Sequence, residues 1–208
     1  MGSPPAIVMG ISGKPEELVN LAQLDQRPIP LIKRYSGGGT VVVNEKTFFV
    51  SFIMEKSLHS FSLFPEPILR WSETFYQKAL EIPHFSLKEN DYVIENRKCG
   101  GNAEYIQKNR FVHHTSFLWD YDPFQMNYLL HPKKEPAYRE KRSHEGFLCC
   151  LKDYLREKEE FFERVMSCIH QLYDAQDVNP TTLYPLLSLA HRKSTQMLDH
   201  RRFQNSVA

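Results

Sequence analysis

Residues 34–43 read RYSGGGTVVV: a basic residue, three consecutive glycines and a β-branched run. Glycine loses more backbone entropy on folding than any other residue, so three in a row are unfavourable unless the chain needs the freedom. The stiff run behind them reads as a buried strand. Three uses fit that junction: a sharp turn, a disordered spacer, or a backbone that approaches a ligand closely. A glycine pair recurs in KCGGNA (98–103), again beside a basic residue. Glycine loops next to strands let backbone N–H groups reach a phosphate, and Arg34 and Lys98 would supply matching charge. Neither segment is a GxGxxG fingerprint, and GISGK (10–14) lacks the Walker spacing. Taken singly, SGGGT reads as readily as a tight turn, and Lys98 reads first as a solvated surface lysine.

Working outward, PAIVMG (5–10) is a short buried-strand pattern, and SGKPEELVNL (12–21) opens a helix through Pro15, Glu16 and Glu17. RPIPLIK (27–33) is too proline-rich for a helix and reads as an extended connection. TVVV (40–43) and FFVSFIM (48–54) read as two strands, with the polar NEKT (44–47) as a hairpin turn between them. Ile68, Leu69, Phe75, Tyr76, Ala79 and Leu80 recur at helical spacing in EPILRWSETFYQKALEI (66–82), which predicts an amphipathic helix. DYVIEN (91–96) is a strand, and NAEYI (102–106) and RFVHHTSFLW (110–119) pair around Lys108 and Asn109. His113 and His114 are strand neighbours that point to opposite faces, so they do not chelate a metal together. Each reads first as a structural histidine, with one of them facing a site. KKEPAYREKR (133–142) is a basic loop whose Lys133, Lys134, Arg139 and Arg142 read as solvated charges. From Leu151 a helical face returns through Leu155, Phe162, Val165, Met166, Ile169 and Leu172. The stretch after Asn179 offers short helices at best. This order of elements predicts an α/β or α+β domain built on a mixed sheet.

Composition narrows the partners. The 208 residues carry 26 basic and 25 acidic side chains, a net charge of +1, which gives no reason to expect nucleic acid or a membrane surface. No apolar run approaches the roughly 20 residues of a spanning helix. Cys99, Cys149, Cys150 and Cys168 follow neither a zinc spacing nor a disulfide framework, which suits a reducing compartment.

The two glycine segments together carry a resemblance. RYSGGGTVVV…SFI, followed by NRKCGGNAEYIQKNRFVHHTSFLWD, resembles the lipoate–protein ligase A family, with its R-x-S-G-G-G-[TA]-V and K-x-x-G-[NS]-A elements and a histidine-bearing strand after them. The likeness covers about residues 5–150. It implies the biotin/lipoate protein ligase catalytic-domain fold, a mixed sheet flanked by helices. It implies an ATP- and Mg2+-dependent ligase that activates lipoate or octanoate as an acyl-adenylate. The acyl group then passes to a lysine of the lipoyl carrier domains of 2-oxoacid dehydrogenases or the glycine cleavage protein. Lys98 falls on the family's essential lysine. Arg34, Ser36, Gly37, Gly38, Gly39, Thr40, Val41, Val42, Gly101 and Asn102 fall at adenylate-binding positions, and Ala103 and His114, with Lys98, at lipoate-binding positions. The physical logic is that a fixed cation beside the acyl carbonyl and α-phosphate stabilises charge that develops during attack.

Departures from the pattern carry their own expectations. Asn44 stands where the family often has an acid, and KKEPAYREKR stands where the family has a mobile loop over the adenylate, which makes Lys133, Lys134, Arg139 and Arg142 candidates there behind the solvated reading. The family places a helix and a strand before the position of PPAIVMG, so the resemblance implies a domain shortened at its N-terminus, with a less closed acyl pocket. The catalytic domain is expected over 1–178 and a partly helical or loose tail over 179–208. A rival reading is an octanoyl-carrier-protein transferase working through a Cys99 thioester, since a neighbouring lysine lowers a thiol's pKa. Against it, a small buried cysteine is the plainer reading of Cys99. Another is a non-catalytic module that binds acyl-adenylate or carrier. A biotin ligase is weaker still, because its GRGRxG-type loop is not found here. The compartment stays open between cytoplasm, mitochondrion and plastid.

Overall fold

The computed structural model describes residues 2–131, 135–190 and 195–206. Its elements run β1 (Ala6–Met9), α1 (Pro15–Leu18), α2 (Leu21–Gln26), β2 (Leu31–Lys33), β3 (Val41–Val43), β4 (Thr47–Glu55), α3 (Pro65–Leu80), β5 (Phe85–Lys88) and β6 (Asp91–Ile94). They continue with β7 (Arg97–Ile106), β8 (Arg110–Leu118), α4 (Pro123–Met126), α5 (His144–Phe147), α6 (Lys158–Leu172), α7 (Tyr184–Leu187) and β9 (Gln196–Leu198). The described strands form two sheets, in the orders β3-β1-β2-β9 and β4-β8-β7-β6-β5. The smaller is mixed, with β1 parallel to β2 and antiparallel to β3; the larger is antiparallel throughout. This is the α+β architecture expected, with helices against the sheets. Of the stretch 179–208, expected as a partly helical or loose tail, the described residues include the short α7 and add β9 to the edge of β2.

The helix at α3 forms where its periodicity puts it. Pro65 occupies the first turn, where its missing N–H costs nothing, and Glu66 sits at the positive end. Ile68, Leu69, Phe75, Tyr76, Ala79 and Leu80 are all buried, and the helix stops at Glu81 in the left-handed conformation. Its apolar face covers Phe48 and Phe52 of β4, Tyr92 of β6 and Phe117 of β8, and α6 closes the same core.

Three expectations are corrected. NEKT does turn the chain, with Asn44 Oδ1 accepting from the Lys46 amide and the Thr47 hydroxyl accepting from the Asn44 amide. It is not a hairpin, because β3 bonds to β1 and β4 to β8. The late helix begins at Lys158, where Glu160 reaches back to the Arg156 amide at 2.7 Å, while Leu151–Asp153 is a separate single turn. Its buried face is Phe161, Val165 and Cys168, whereas Met166 and Leu172 are exposed. Leu155 and Val165 are buried as expected and Phe162 and Ile169 pack against the same core, while Phe161 and Cys168 widen the face on its other side.

Candidate active site

One residue out of step makes the site. Along β6 and β7, Tyr92 pairs with Gly100 but Val93 pairs with Lys98, so Cys99 is an extra residue. A β-bulge reverses the alternation of side chains across it. Without it, Lys98 would share the core face with Gly100. With it, Lys98 joins Gly101 and Ala103 on the open face, and Cys99 drops into the core with no exposed surface. This is a physical reason for the K-x-x-G spacing, an odd interval on a strand. Gly101 is needed because Lys98 lies back across it: a Cβ there would stand 3.3 Å from both Cε and Nζ of Lys98.

The ammonium of Lys98 is held 2.7 Å from Asp91 Oδ1. The other carboxylate oxygen accepts from the Tyr138 hydroxyl at 2.8 Å. Burial, then the adjoining Asp91, drives the Tyr138 pKa far up, so it stays a donor. Asp91 and Tyr138 thus hold the lysine from two segments, β6 and the turn at Ala137–Arg139.

Across from Lys98 lies the glycine loop. Gly38 has φ 106°, open to glycine alone, and its backbone passes so close to Gly10 and Asn102 that a Cβ on Gly38 would stand 2.8 Å from the Asn102 carbonyl. Arg34 shapes the loop from inside. Its guanidinium donates to the carbonyls of Gly37 at 3.0 Å, Gly39 at 2.9 Å and Val8 at 3.4 Å. Burial lowers its pKa from the ordinary arginine value. The buried hydroxyl oxygen of Thr40, next along, has no hydrogen-bond partner among the described residues.

Lysine, glycine loop and histidine strand open on one cavity of about 780 Å3. Of the residues expected at the site, Arg34, Gly38, Gly39, Thr40, Val41, Lys98, Gly101, Asn102, Ala103 and His114 line it. Ser36, Gly37 and Val42 do not. The Ser36 carbonyl accepts from Ile11, the Gly37 amide meets Glu104 at 3.4 Å, and Val42 turns into the second core with Ile7 and Leu31. His114 accepts or donates at Nδ1 with the Ser51 hydroxyl at 2.6 Å and stacks on Phe49. Burial, then Arg34, lowers its pKa. His113 faces the other way, fully buried between Tyr92 and Glu104.

Sequence reasoning met the third wall only in part, with Arg139 a candidate through the resemblance but ranked behind a solvated charge. Leu129, Leu130, Arg139, His144 and Phe147 line the cavity too. Arg139, expected as a solvated charge, is buried, its charge balanced by Glu135 at 3.5 Å, the Arg142 carbonyl at 3.1 Å and the Phe147 ring at 4.8 Å. Arg142 returns the bond to the Arg139 carbonyl and reaches Asn96. Lys133 and Lys134 lie outside the described residues. The signal was the spacing Tyr138-Arg139-x-x-Arg142-x-His144, two arginines three apart that close one turn. Cys99, the rival nucleophile, donates to the Tyr92 carbonyl at 3.5 Å, and burial pushes its thiol well up. It faces the core, apart from Lys98.

A lysine and a glycine loop that face each other across one cavity are the groups an anionic ligand requires. The Lipoyl protein ligase A/B catalytic domain family matches residues 1–171, and the chain belongs to that family. It is 31% identical over 211 residues to the inactive lipoate–protein ligase 2 of Plasmodium falciparum, covering 83% of this chain and 55% of that protein. It is 29% identical over 119 residues to the lipoate-protein ligase LplJ of Bacillus subtilis, covering 56% of this chain and 34% of that one. The chain therefore spans about half or less of these relatives' lengths. Its fold is similar to that of the lipoate protein ligase in the bi-partite archaeal lipoylation system of Thermoplasma acidophilum, with a TM-score of 0.71, 18% identity, and coverage of 89% of this chain and 76% of that one. It is likewise similar to a lipoate-protein ligase A bound with ATP, with a TM-score of 0.68, 18% identity, and coverage of 88% and 77%.

Proposed function

We propose that this chain is the catalytic domain of an ATP-dependent lipoate–protein ligase. The observation that carries the reading is the single cavity shared by Lys98, the Arg34-braced glycine loop and His114. In the first step a carboxylate oxygen of lipoate or octanoate attacks the α-phosphorus of ATP, and pyrophosphate leaves. In the second a carrier lysine amine attacks the acyl carbonyl, AMP leaves, and the amine gives up a proton. Lys98 serves both steps as a point charge beside the oxygens where negative charge grows. Arg34 holds the loop open around the phosphates, and the unpartnered Thr40 hydroxyl suits a polar ligand. Val8, Val41, Val43 and Phe49 supply an apolar wall for the acyl chain.

No cluster of three metal-binding side chains occurs among the described residues. Mg2+ would take one or two carboxylates and otherwise travel with the ATP phosphates. Glu17, Glu89, Asp91 and Glu135 are the carboxylates that line the cavity, and an ion held by one or two of them would neutralise phosphate charge. The acceptors in this reading are lipoyl carrier domains of 2-oxoacid dehydrogenases or the glycine cleavage protein. No described helix is long and apolar enough to cross a membrane.

The test is intact mass of an apo carrier domain incubated with the protein, lipoate and Mg2+, with and without ATP. A lipoyl shift that needs ATP and vanishes in Lys98→Ala supports the ligase. A shift from octanoyl-carrier protein without ATP would replace it with the transferase. Adenylate binding by a folded sample with no product would make the chain a binding module.

A further inference from the structure

Arg139, His131 and His144 form a cluster at the third wall that the chemistry above leaves unused. The Nη2 of Arg139 faces His131 Nδ1 at 3.3 Å and His144 Nδ1 at 3.5 Å, and the two imidazoles stack with centroids 5.1 Å apart. A guanidinium has donors only. Both imidazoles must therefore accept at Nδ1, which puts the proton of each neutral ring on Nε2. Burial first, then the neighbouring Arg139, His131 and Lys98, brings the His144 pKa down to about 4. At neutral pH His144 is an uncharged donor with a fixed tautomer. Its Nε2 is covered by protein and has no hydrogen-bond partner among the described residues, and His144 lines the cavity, so a ligand that meets Nε2 must first displace what covers it. A buried donor without an acceptor is unfavourable unless a ligand supplies one.

The backbone ties this donor to the lysine. Ser143 caps α5 through the Gly146 amide at 3.1 Å. Directly after α5, Leu148 bridges Lys98 in parallel register, and the Cys149 amide donates to the Lys98 carbonyl at 2.9 Å. A shift in either segment is passed to the other through that bond.

We infer that His144 donates from Nε2 to an anionic oxygen of the ligand held by Lys98, and that Arg139 is a positioning residue that fixes the tautomer. The inference rests on the proposed ligase reading, and names a further binding residue within it. Carboxylate and phosphate both offer such an oxygen, so the test separates them.

Wild type, His144→Ala and His144→Gln are titrated by calorimetry with lipoate alone, with ATP and Mg2+, and with lipoyl sulfamoyl adenosine, a stable acyl-adenylate mimic. Losing a hydrogen bond to a charged oxygen should weaken the mimic about 10- to 100-fold in His144→Ala. His144→Gln, whose amide keeps a donor, should recover most of that loss. A deficit seen with ATP alone assigns the oxygen to phosphate; one seen with lipoate alone assigns it to the carboxylate. Binding of the mimic within twofold of wild type in His144→Ala overturns the inference, as does an equal loss in both variants. If wild type itself does not bind the mimic, the ligase reading fails and the inference with it. A second measurement reads the tautomer in wild type, and that arm needs no variant to fold. The 15N resonances of histidine-labelled wild type at pH 7 should show His144 with its proton on Nε2, and Arg139→Met should admit the other tautomer. A proton on Nδ1, or on both nitrogens, in wild type overturns the inference.

Discussion

Gly100 and Gly101 are adjacent, yet adding one methyl group to each should damage different properties. At Gly101 the new Cβ would meet Lys98 Cε and Nζ at 3.3 Å, and next the Ser116 hydroxyl at 3.9 Å. Both close atoms lie at the far end of a flexible side chain, and the Gly101 backbone angle is one other residues adopt. The lysine must therefore give way by a few tenths of an ångström, which strains its 2.7 Å pairing with Asp91. Folding loses little, and the stiffer unfolded chain favours the variant by about 0.4–1 kcal/mol. That corresponds to a Tm raised by about 1–4 °C at this size. Misplacing a catalytic group by about 1 Å costs on the order of 100-fold, so a smaller shift should lower carrier lipoylation by about tenfold. At Gly100 the Cβ would stand 2.8 Å from the ring of Phe117, a fully buried side chain that cannot move aside. Overpacking of that kind costs about 1–3 kcal/mol, so Gly100→Ala should lower the urea midpoint markedly. The assays are the initial rate of lipoyl mass gain and urea denaturation, run on both variants. Lipoylation by Gly101→Ala within twofold of wild type, with Lys98→Ala inactive, would refute the idea that Gly101 sets the lysine's place.

Gly38→Ala should cost about 1–3 kcal/mol in urea denaturation, because φ is 106° and the Cβ would press on Arg34 and the Asn102 carbonyl. Gly39→Ala, with nothing within 4 Å of its Cβ, should leave stability unchanged. Stability should fall with acid because of His144. Its folded pKa of about 4 lies below the ordinary 6.5, so its contribution is complete above pH 6.5 and is lost towards pH 4. His59 and His114 are shifted in the same direction, so the diagnostic is the shallower decline in Tm of His144→Gln between those limits. Cys99→Ala should keep ATP-dependent transfer within about threefold while losing roughly 1 kcal/mol of core stability; transfer abolished in a normally folded variant would revive the thioester route.

What could be read from the sequence was local. The apolar stripe of α3 and the β7–β8 hairpin are written in neighbouring residues, and both appear where their patterns put them. Pairing partners are not local: the valines of β3 carry no mark that they belong beside Ile7 rather than beside β4. The site divides the same way. Lys98 and the glycines were found through a motif, and the bulge explains why that motif has its spacing. Alternation alone puts Lys98 and Cys99 on opposite faces without saying which one meets the ligand. The extra residue at Cys99 decides it, and only the register against β6 reveals that residue. Arg139 shows the opposite failure. A basic run reads as solvated because burying a guanidinium without acceptors is costly. Here the acceptors are a backbone carbonyl, a carboxylate and two imidazoles within the same turn and its flanks, so the charge is buried at tolerable cost. Arg139 and Arg142 each donate to the other's carbonyl, a closed arrangement that spacing can suggest only once the turn is known. The wall built that way brings a neutral histidine to a cavity edged by cations and carboxylates alike, a donor that adds no charge beside Lys98.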